Sequence, residues 1–292
     1  MTVIRDRAAP ARAARVDPAT DPRWRELAEG PGGSLFTSPP WIAAVCETYG
    51  FTPEARIVED HGGVRGGFAW VRVHDLRGER LVSLPFSDRA EPFAPDLPAW
   101  RAVAADALAP GAPPITVRCL AGSPALADPR LRAVGEAAWH ATSLDGGPEA
   151  VRTRMSPEAR RNLRAAARRG LRFVAARDLD SVRAVHRLHV ALRKRKYRLL
   201  APPVALFERI WERFAPEDRL LAVLARDGDE VVAGALYLVW GDVLYYKFGA
   251  SLASHLDRRP NEGVAWAAIG WGAERGLGIL DWGLSDLDQP GL

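Results

Sequence analysis

Hydrophobic and polar positions along this chain fall into two stretches that carry the same order of elements. In the first, Ser38-Pro39-Pro40 ahead of Trp41-Ile42-Ala43-Ala44-Val45 predicts a helix to Tyr49, because proline is tolerated where the first helical N–H groups lack partners. Residues 55–59 then read as a strand, Asp60-His61-Gly62-Gly63 as a tight turn, and residues 64–73 and 81–86 as two further strands. In the second stretch Pro202-Pro203 opens a helix to Phe214. Strands follow at 220–226, 231–240 and 243–252, with turns at 227–230 and Gly241-Asp242.

The repetition has a fixed offset. A slide of 167 positions lays Ala55, Ile57, Asp60, Val64, Gly67 and Trp70 on Ala222, Leu224, Asp227, Val231, Gly234 and Tyr237. A slide of 166 lays Ala99-Trp100 on Ala265-Trp266, and each pair begins a helix that runs into a short apolar strand, 115–119 or 279–283. Between the halves, Ser156, Pro157 and Glu158 start a helix that Gly170 stops, and a second helix spans 180–197. The fold class is therefore α/β of the α+β kind, two tandem units each with a mixed, mostly antiparallel sheet flanked by helices. Residues 1–20, rich in Ala, Arg and Pro without periodicity, read as a disordered leader, and the units as 21–150 and 151–292.

Composition narrows the function. With 292 residues, 48% apolar and 26% charged, the chain has material for two cores. It has no apolar run long enough to span a bilayer and no secretory h-region, so a cytoplasmic protein is expected. Cys46 and Cys119 lack a CxxC partner and read as packed, reduced thiols. The net charge of +4 is carried mostly by arginine, with Lys194, Lys196 and Lys247 the only lysines. Two local clusters matter more than the total: Arg160, Arg164 and Arg168 along one helix, and Arg193-Lys194-Arg195-Lys196 beside Tyr197. His186 and His189 have no acidic or thiol partners at ligand spacing, so no metal is expected. No GxSxG, Walker or dinucleotide-binding glycine motif is present.

Several blocks in order resemble the FemAB-like branch of the GNAT acetyltransferase superfamily: Ser87-Asp88, Arg160 to Arg164 with Gly170, Leu244 to Ser251, Arg259-Pro260-Asn261-Glu262-Gly263, and Ala273 to Leu277 leading into Leu280-Asp281-Trp282-Gly283. The resemblance covers roughly residues 35–290 and implies two GNAT-like units, the second binding an activated donor and the acceptor entering between them. It implies transfer of an acyl group from acetyl-coenzyme A or another acyl-coenzyme A to an amine of a small molecule or cell-envelope precursor. Its alternatives are an aminoacyl-tRNA-dependent peptidoglycan-bridge aminoacyltransferase, with tRNA as the one nucleic-acid partner, and a non-catalytic scaffold in envelope polysaccharide assembly.

The family pattern assigns catalysis to Tyr246, Asp281 and Asp286. Lys247, Gly249, Arg258, Arg259, Asn261 and Gly263 fall to the donor. Ser87, Asp88, Arg160, Arg164, Lys196, Tyr197 and Ser285 fall to the acceptor or its phosphates. Plain alternation along 243–252 places Tyr245, Lys247 and Gly249 on one face and Leu244, Tyr246 and Phe248 on the other. The family pattern also leads one to expect a further strand pair after Trp282-Gly283.

Overall fold

The computed structural model describes residues 12–61 and 63–287. The chain divides into two compact units at residues 135 and 136. In chain order the first unit comprises β1 (Arg12–Val16), α1 (Pro22–Glu29), α2 (Pro39–Tyr49), β2 (Pro53–Asp60), β3 (Gly63–Asp75), β4 (Gly78–Val82), α3 (Leu97–Val103) and β5 (Ile115–Thr116). Its sheet has the order β1-β2-β3-β4-β5, antiparallel except for the β4–β5 pair. Trp24, Phe68 and Trp100 fill its interior. The Trp24 indole donates to the Thr37 carbonyl at 2.9 Å and the Trp100 indole to the Asp128 carboxylate at 2.9 Å, so neither buried N–H is left unpaired.

The second unit comprises β6 (Ala137–Ser143), α4 (Gly147–Arg154), α5 (Pro157–Arg168), β7 (Arg172–Ala176), α6 (Leu179–Leu192), α7 (Val204–Phe214), β8 (Leu220–Asp227), β9 (Glu230–Trp240), β10 (Val243–Ser251), α8 (Pro260–Glu274) and β11 (Ile279–Asp286). Its sheet runs β6-β11-β10-β9-β8-β7, with β10 and β11 the parallel pair. One face packs on α8 through Leu221, Val223, Tyr237, Leu244, Val264 and Ala268. Leu206, Phe207, Ile210 and Phe214, all fully buried, form one stripe of α7. Burying each such side chain contributes about 2 kcal/mol.

The internal repeat extends to register. Ala55 faces Ala69 and Ile57 faces Gly67, as Ala222 faces Leu236 and Leu224 faces Gly234. The register shifts between Val58 and Glu59 in one unit and between Ala225 and Arg226 in the other, again 167 apart. β1 meets residues 55–59 of β2 as β7 meets residues 222–226 of β8.

Five expectations differ from this architecture. Residues 12–16, placed in the leader, form β1 and close the first sheet against β2; residues 1–11 lie outside the described residues. The unit boundary falls at 135/136 rather than 150/151, because β6 pairs with β11 along its whole length. That pairing also fills the place where strands after Trp282-Gly283 were expected, from the N-terminal side of the unit. The strand expected at 81–86 ends at Val82, where Leu84 and Phe86 adopt φ of 52° and 59°. The long helix at 180–197 ends at Leu192 and passes into a π-turn over Arg193–Tyr197.

Candidate active site

β10 and β11 share register at Val243↔Ile279, Leu244↔Leu280 and Tyr245↔Asp281, and at no later position among the described residues. Beyond it β10 stays with β9 as far as Ser251, while β11 stays with β6 as far as Asp286. The two strands therefore part as a fork at their carboxyl ends, where ligands gather in open α/β sheets. Each strand carries a register shift at the parting point, between Tyr246 and Phe248 in β10 and between Asp281 and Gly283 in β11. An extra residue on one strand bends and twists it, so the paired bulges turn the strands onto separate partners.

The bulge at Lys247 breaks the expected alternation. Tyr246 packs with Tyr237 and Trp282, ring centroids 5.6 and 5.9 Å away, on the α8 side. Phe248 turns to the opposite side, against Phe207 at 4.5 Å and His189 at 5.5 Å. The Tyr246 hydroxyl lies over Gly249, where a Cβ would fall 2.0 Å from that oxygen. Burial pushes the Tyr246 pKa up, and the nearby Tyr197 phenol adds to the shift. Tyr246 therefore holds its proton at neutral pH. Beneath it, the fully buried Tyr237 hydroxyl has no hydrogen-bond partner.

Asp281 is 3% exposed, and its Oδ1 accepts from the Gly283 N–H at 2.8 Å, bracing the second bulge. Trp282 donates from its indole to the Thr142 hydroxyl at 2.9 Å. The same tryptophan lines a cavity of about 450 Å³ between β6, α4, α5 and α8. Met155, Leu163 and Trp266 give that cavity apolar walls, and Asn162 and Glu262 give it polar groups. A pocket with apolar walls and a few polar groups suits a ligand with an apolar body and a polar end.

Residues 153–288 match the family model of the Acetyltransferase (GNAT) domain. The second unit is a GNAT acyltransferase domain. Two related units in tandem make up the chain. In fold it is similar to FemX, with a TM-score of 0.71 and 14% identity, covering 95% of this chain and 90% of that one. It is also similar to L-PGS from Bacillus licheniformis, with a TM-score of 0.56 and 13% identity, covering 94% and 79%. A tandem GNAT protein from the clavulanic acid biosynthesis pathway gives a TM-score of 0.53 and 13% identity over 96% and 91%. No curated protein matches the chain.

Within the GNAT domain the sequence-derived candidates separate. Tyr246, Lys247, Gly249 and Asp281 gather at the fork, with Tyr197 beside Tyr246. Asn261 is exposed in the first turn of α8, and Arg259, in the left-handed region at φ 57°, pairs with Glu262 at 3.3 Å. Arg258 is committed to structure: it donates to the Arg169 carbonyl at 2.6 Å and to the Asp227 carboxylate. Gly263 is buried against the Phe173 ring and permits α8 to meet β7.

The remaining candidates sit further off. Ser285 shares a 2.7 Å hydrogen bond with His140 on β6, and Asp286 is exposed at the end of the same strand pair. Arg160 turns half-buried to the Thr153 carbonyl at 3.2 Å, so the exposed basic stripe of α5 is Arg161, Arg164 and Arg168. Lys196 stands 5.1 Å from the Tyr197 ring centroid. Ser87 and Asp88 belong to the first unit, where Ser87 is buried and accepts from the Trp41 indole at 3.1 Å. Glu262, Asn162 and Trp282 lay inside the quoted blocks without being singled out; their shared cavity appears once α5, α8 and β11 are packed. Among the described residues, no group of three or more His, Cys, Asp and Glu side chains is placed to hold a metal, and no helix is long and apolar enough to cross a membrane.

His189 backs the fork from α6. It hydrogen-bonds the Gly249 backbone, while its Nδ1 is buried without a partner. Burial, then the charges of Arg193 and His186, lower its pKa from 6.5 to about 4. Below pH 6.5 the unfolded imidazole takes a proton that the folded one refuses, so stability is full above 6.5 and is lost as pH falls towards 4. Urea unfolding should show this decline between pH 6.5 and 4, and His189→Leu should remove it. Asp128, held at about 2 chiefly by Arg130, loses its contribution only at lower pH, which separates the two effects.

Proposed function

We propose that this chain transfers the aminoacyl group of a charged tRNA to an amine of a cell-envelope precursor. The observation that carries the proposal is the cavity lined by the half-buried carboxylate of Glu262 and by Trp282, whose ring packs on Tyr246 at 5.9 Å. An aminoacyl ester carries an α-ammonium group, which that carboxylate suits as a counter-ion; Arg259, its present partner, is exposed and holds it weakly. The exposed stripe Arg161, Arg164 and Arg168 suits phosphates of the tRNA acceptor end.

An acyl-coenzyme A donor would use the same fork, but its pyrophosphate finds little at the start of α8. Pro260 lacks an N–H, Glu262 brings negative charge to the first turn, and Arg258 is spent on Arg169 and Asp227. In the reaction the acceptor nitrogen attacks the ester carbonyl, the new C–N bond replaces the C–O bond to the ribose, and the amine loses a proton as the ribose hydroxyl regains one. In this reading Tyr246, which keeps its proton, donates a hydrogen bond to the developing oxyanion.

The test is transfer of a labelled amino acid from charged tRNA to a peptidoglycan-precursor amine, run beside acetyl-coenzyme A as donor. Binding of charged tRNA should weaken roughly 20-fold for a fourfold rise in salt if three arginines meet phosphates. Glu262→Gln should raise KM for the aminoacyl donor by about tenfold, the loss of one charge-assisted contact, with a smaller effect on kcat. Acetyl transfer from acetyl-coenzyme A without affinity for charged tRNA would overturn the proposal in favour of the coenzyme A reading.

A further inference from the structure

The segment joining α6 to α7 presents a basic and apolar surface outward. Over Arg193–Tyr197 the helix loosens into a π-turn, and Arg198 then takes the left-handed region at φ 53°. Arg193 ties the turn together, its side chain donating to the Leu200 carbonyl at 3.0 Å and its own carbonyl accepting from the Leu199 N–H at 3.2 Å. The turn holds apolar side chains outward instead of folding them in: Leu200 is 93% exposed, Leu199 56% and Tyr197 49%. Val190 on α6 and Val204 on α7 extend the apolar surface at its flanks. Lys194, Arg195, Lys196 and Arg198 are exposed among them, and residues 193–203 contain no acidic side chain.

We propose that residues 194–200 dock this chain onto an anionic lipid bilayer surface. Cations attracted to acidic headgroups, an aromatic ring suited to the interface and aliphatic side chains that enter the acyl boundary are the three components of interfacial attachment, and all occur within seven consecutive residues. Charge complementarity alone would also fit RNA. Two outward leucines gain nothing from phosphates, however, and one aromatic ring offers little stacking, so the lipid surface accounts for more of the segment. The docking is independent of which donor the fork accepts.

Co-sedimentation of the full chain with phosphatidylcholine vesicles, with and without phosphatidylglycerol, tests this. The chain should partition to the anionic vesicles and stay in solution with phosphatidylcholine alone. Each basic side chain near the surface is worth roughly fivefold in partition, so the K194Q/R195Q pair should lower it about 25-fold. L199S/L200S keeps every charge and should lower it by at least about tenfold, from the lost burial of two leucines. All four side chains are exposed or half-exposed, so both variants should keep the parent unfolding midpoint, and either alone decides the matter. Failure to bind anionic vesicles, or an unchanged partition in L199S/L200S, overturns the proposal. Charge-dependent binding of a single-stranded RNA without vesicle binding would assign the segment to nucleic acid instead.

Discussion

Gly249→Val lowers kcat for acyl transfer by roughly 100-fold while the chain remains folded, on the scale of losing one oxyanion donor. The cause is a single contact. A Cβ at position 249 falls 2.0 Å from the Tyr246 hydroxyl oxygen and 2.7 Å from the ring carbon that bears it, so the phenol must leave its place at the fork. The backbone at Gly249 does not have positive φ and sits in register with Ala235, so a β-branched residue suits the strand itself. The damage therefore reports where Tyr246 must be. Tyr246→Phe should give a similar loss in kcat with little change in donor KM, because the ring keeps its contacts with Tyr237 and Trp282 and loses only its hydroxyl. A Gly249→Val variant with undiminished kcat would remove Tyr246 from the mechanism.

Gly263→Ala destabilises the second unit by about 3 kcal/mol, at the upper end of what overpacking usually costs. Alanine ordinarily favours a helix interior over glycine by about 1 kcal/mol, so the sign is the informative part. Here the added Cβ would lie 2.0 to 2.6 Å from three carbons of the Phe173 ring, and β7 would have to move away from α8. Urea unfolding gives the loss, and the double variant Gly263→Ala/Phe173→Ala gives its origin. If the clash is the cause, the second substitution recovers part of the stability lost in the first, a coupling that independent sites would not show.

Much of the scaffold was legible because the meanders bury alternating or continuous apolar runs between tight turns. The offset of 167 proved faithful down to strand register and bulge position. The elements that escaped notice lack that contrast. β1 is Arg-Ala-Ala-Arg-Val and β6 is Ala-Ala-Trp-His-Ala-Thr-Ser, both at sheet edges, where small and polar residues suffice because one side faces solvent.

The site was legible in its strand and less so in its geometry. Tyr246, Gly249 and Asp281, singled out in the sequence, lie together where β10 and β11 part. Phe248 was placed on the wrong face, because a bulge depends on what the neighbouring strand does and leaves no mark on alternation. Arg258 and Gly263, candidates for the donor in the sequence, have partners in the framework that the sequence does not reveal. Their partners, Asp227, Arg169 and Phe173, lie on elements far away in the chain.

The placement of β6 bears on how the GNAT domain can be handled in isolation. The family match begins at residue 153, inside α4, whereas the strand that covers β11 ends at Ser143. A fragment cut to the family boundary would keep the β10/β11 fork and yet leave β11 with a bare row of backbone donors and acceptors from Ile279 to Asp286. Open edges of that kind recruit further strands from other molecules. The shortest piece that can remain monodisperse therefore starts near Glu136, ahead of every residue that makes the domain recognisable.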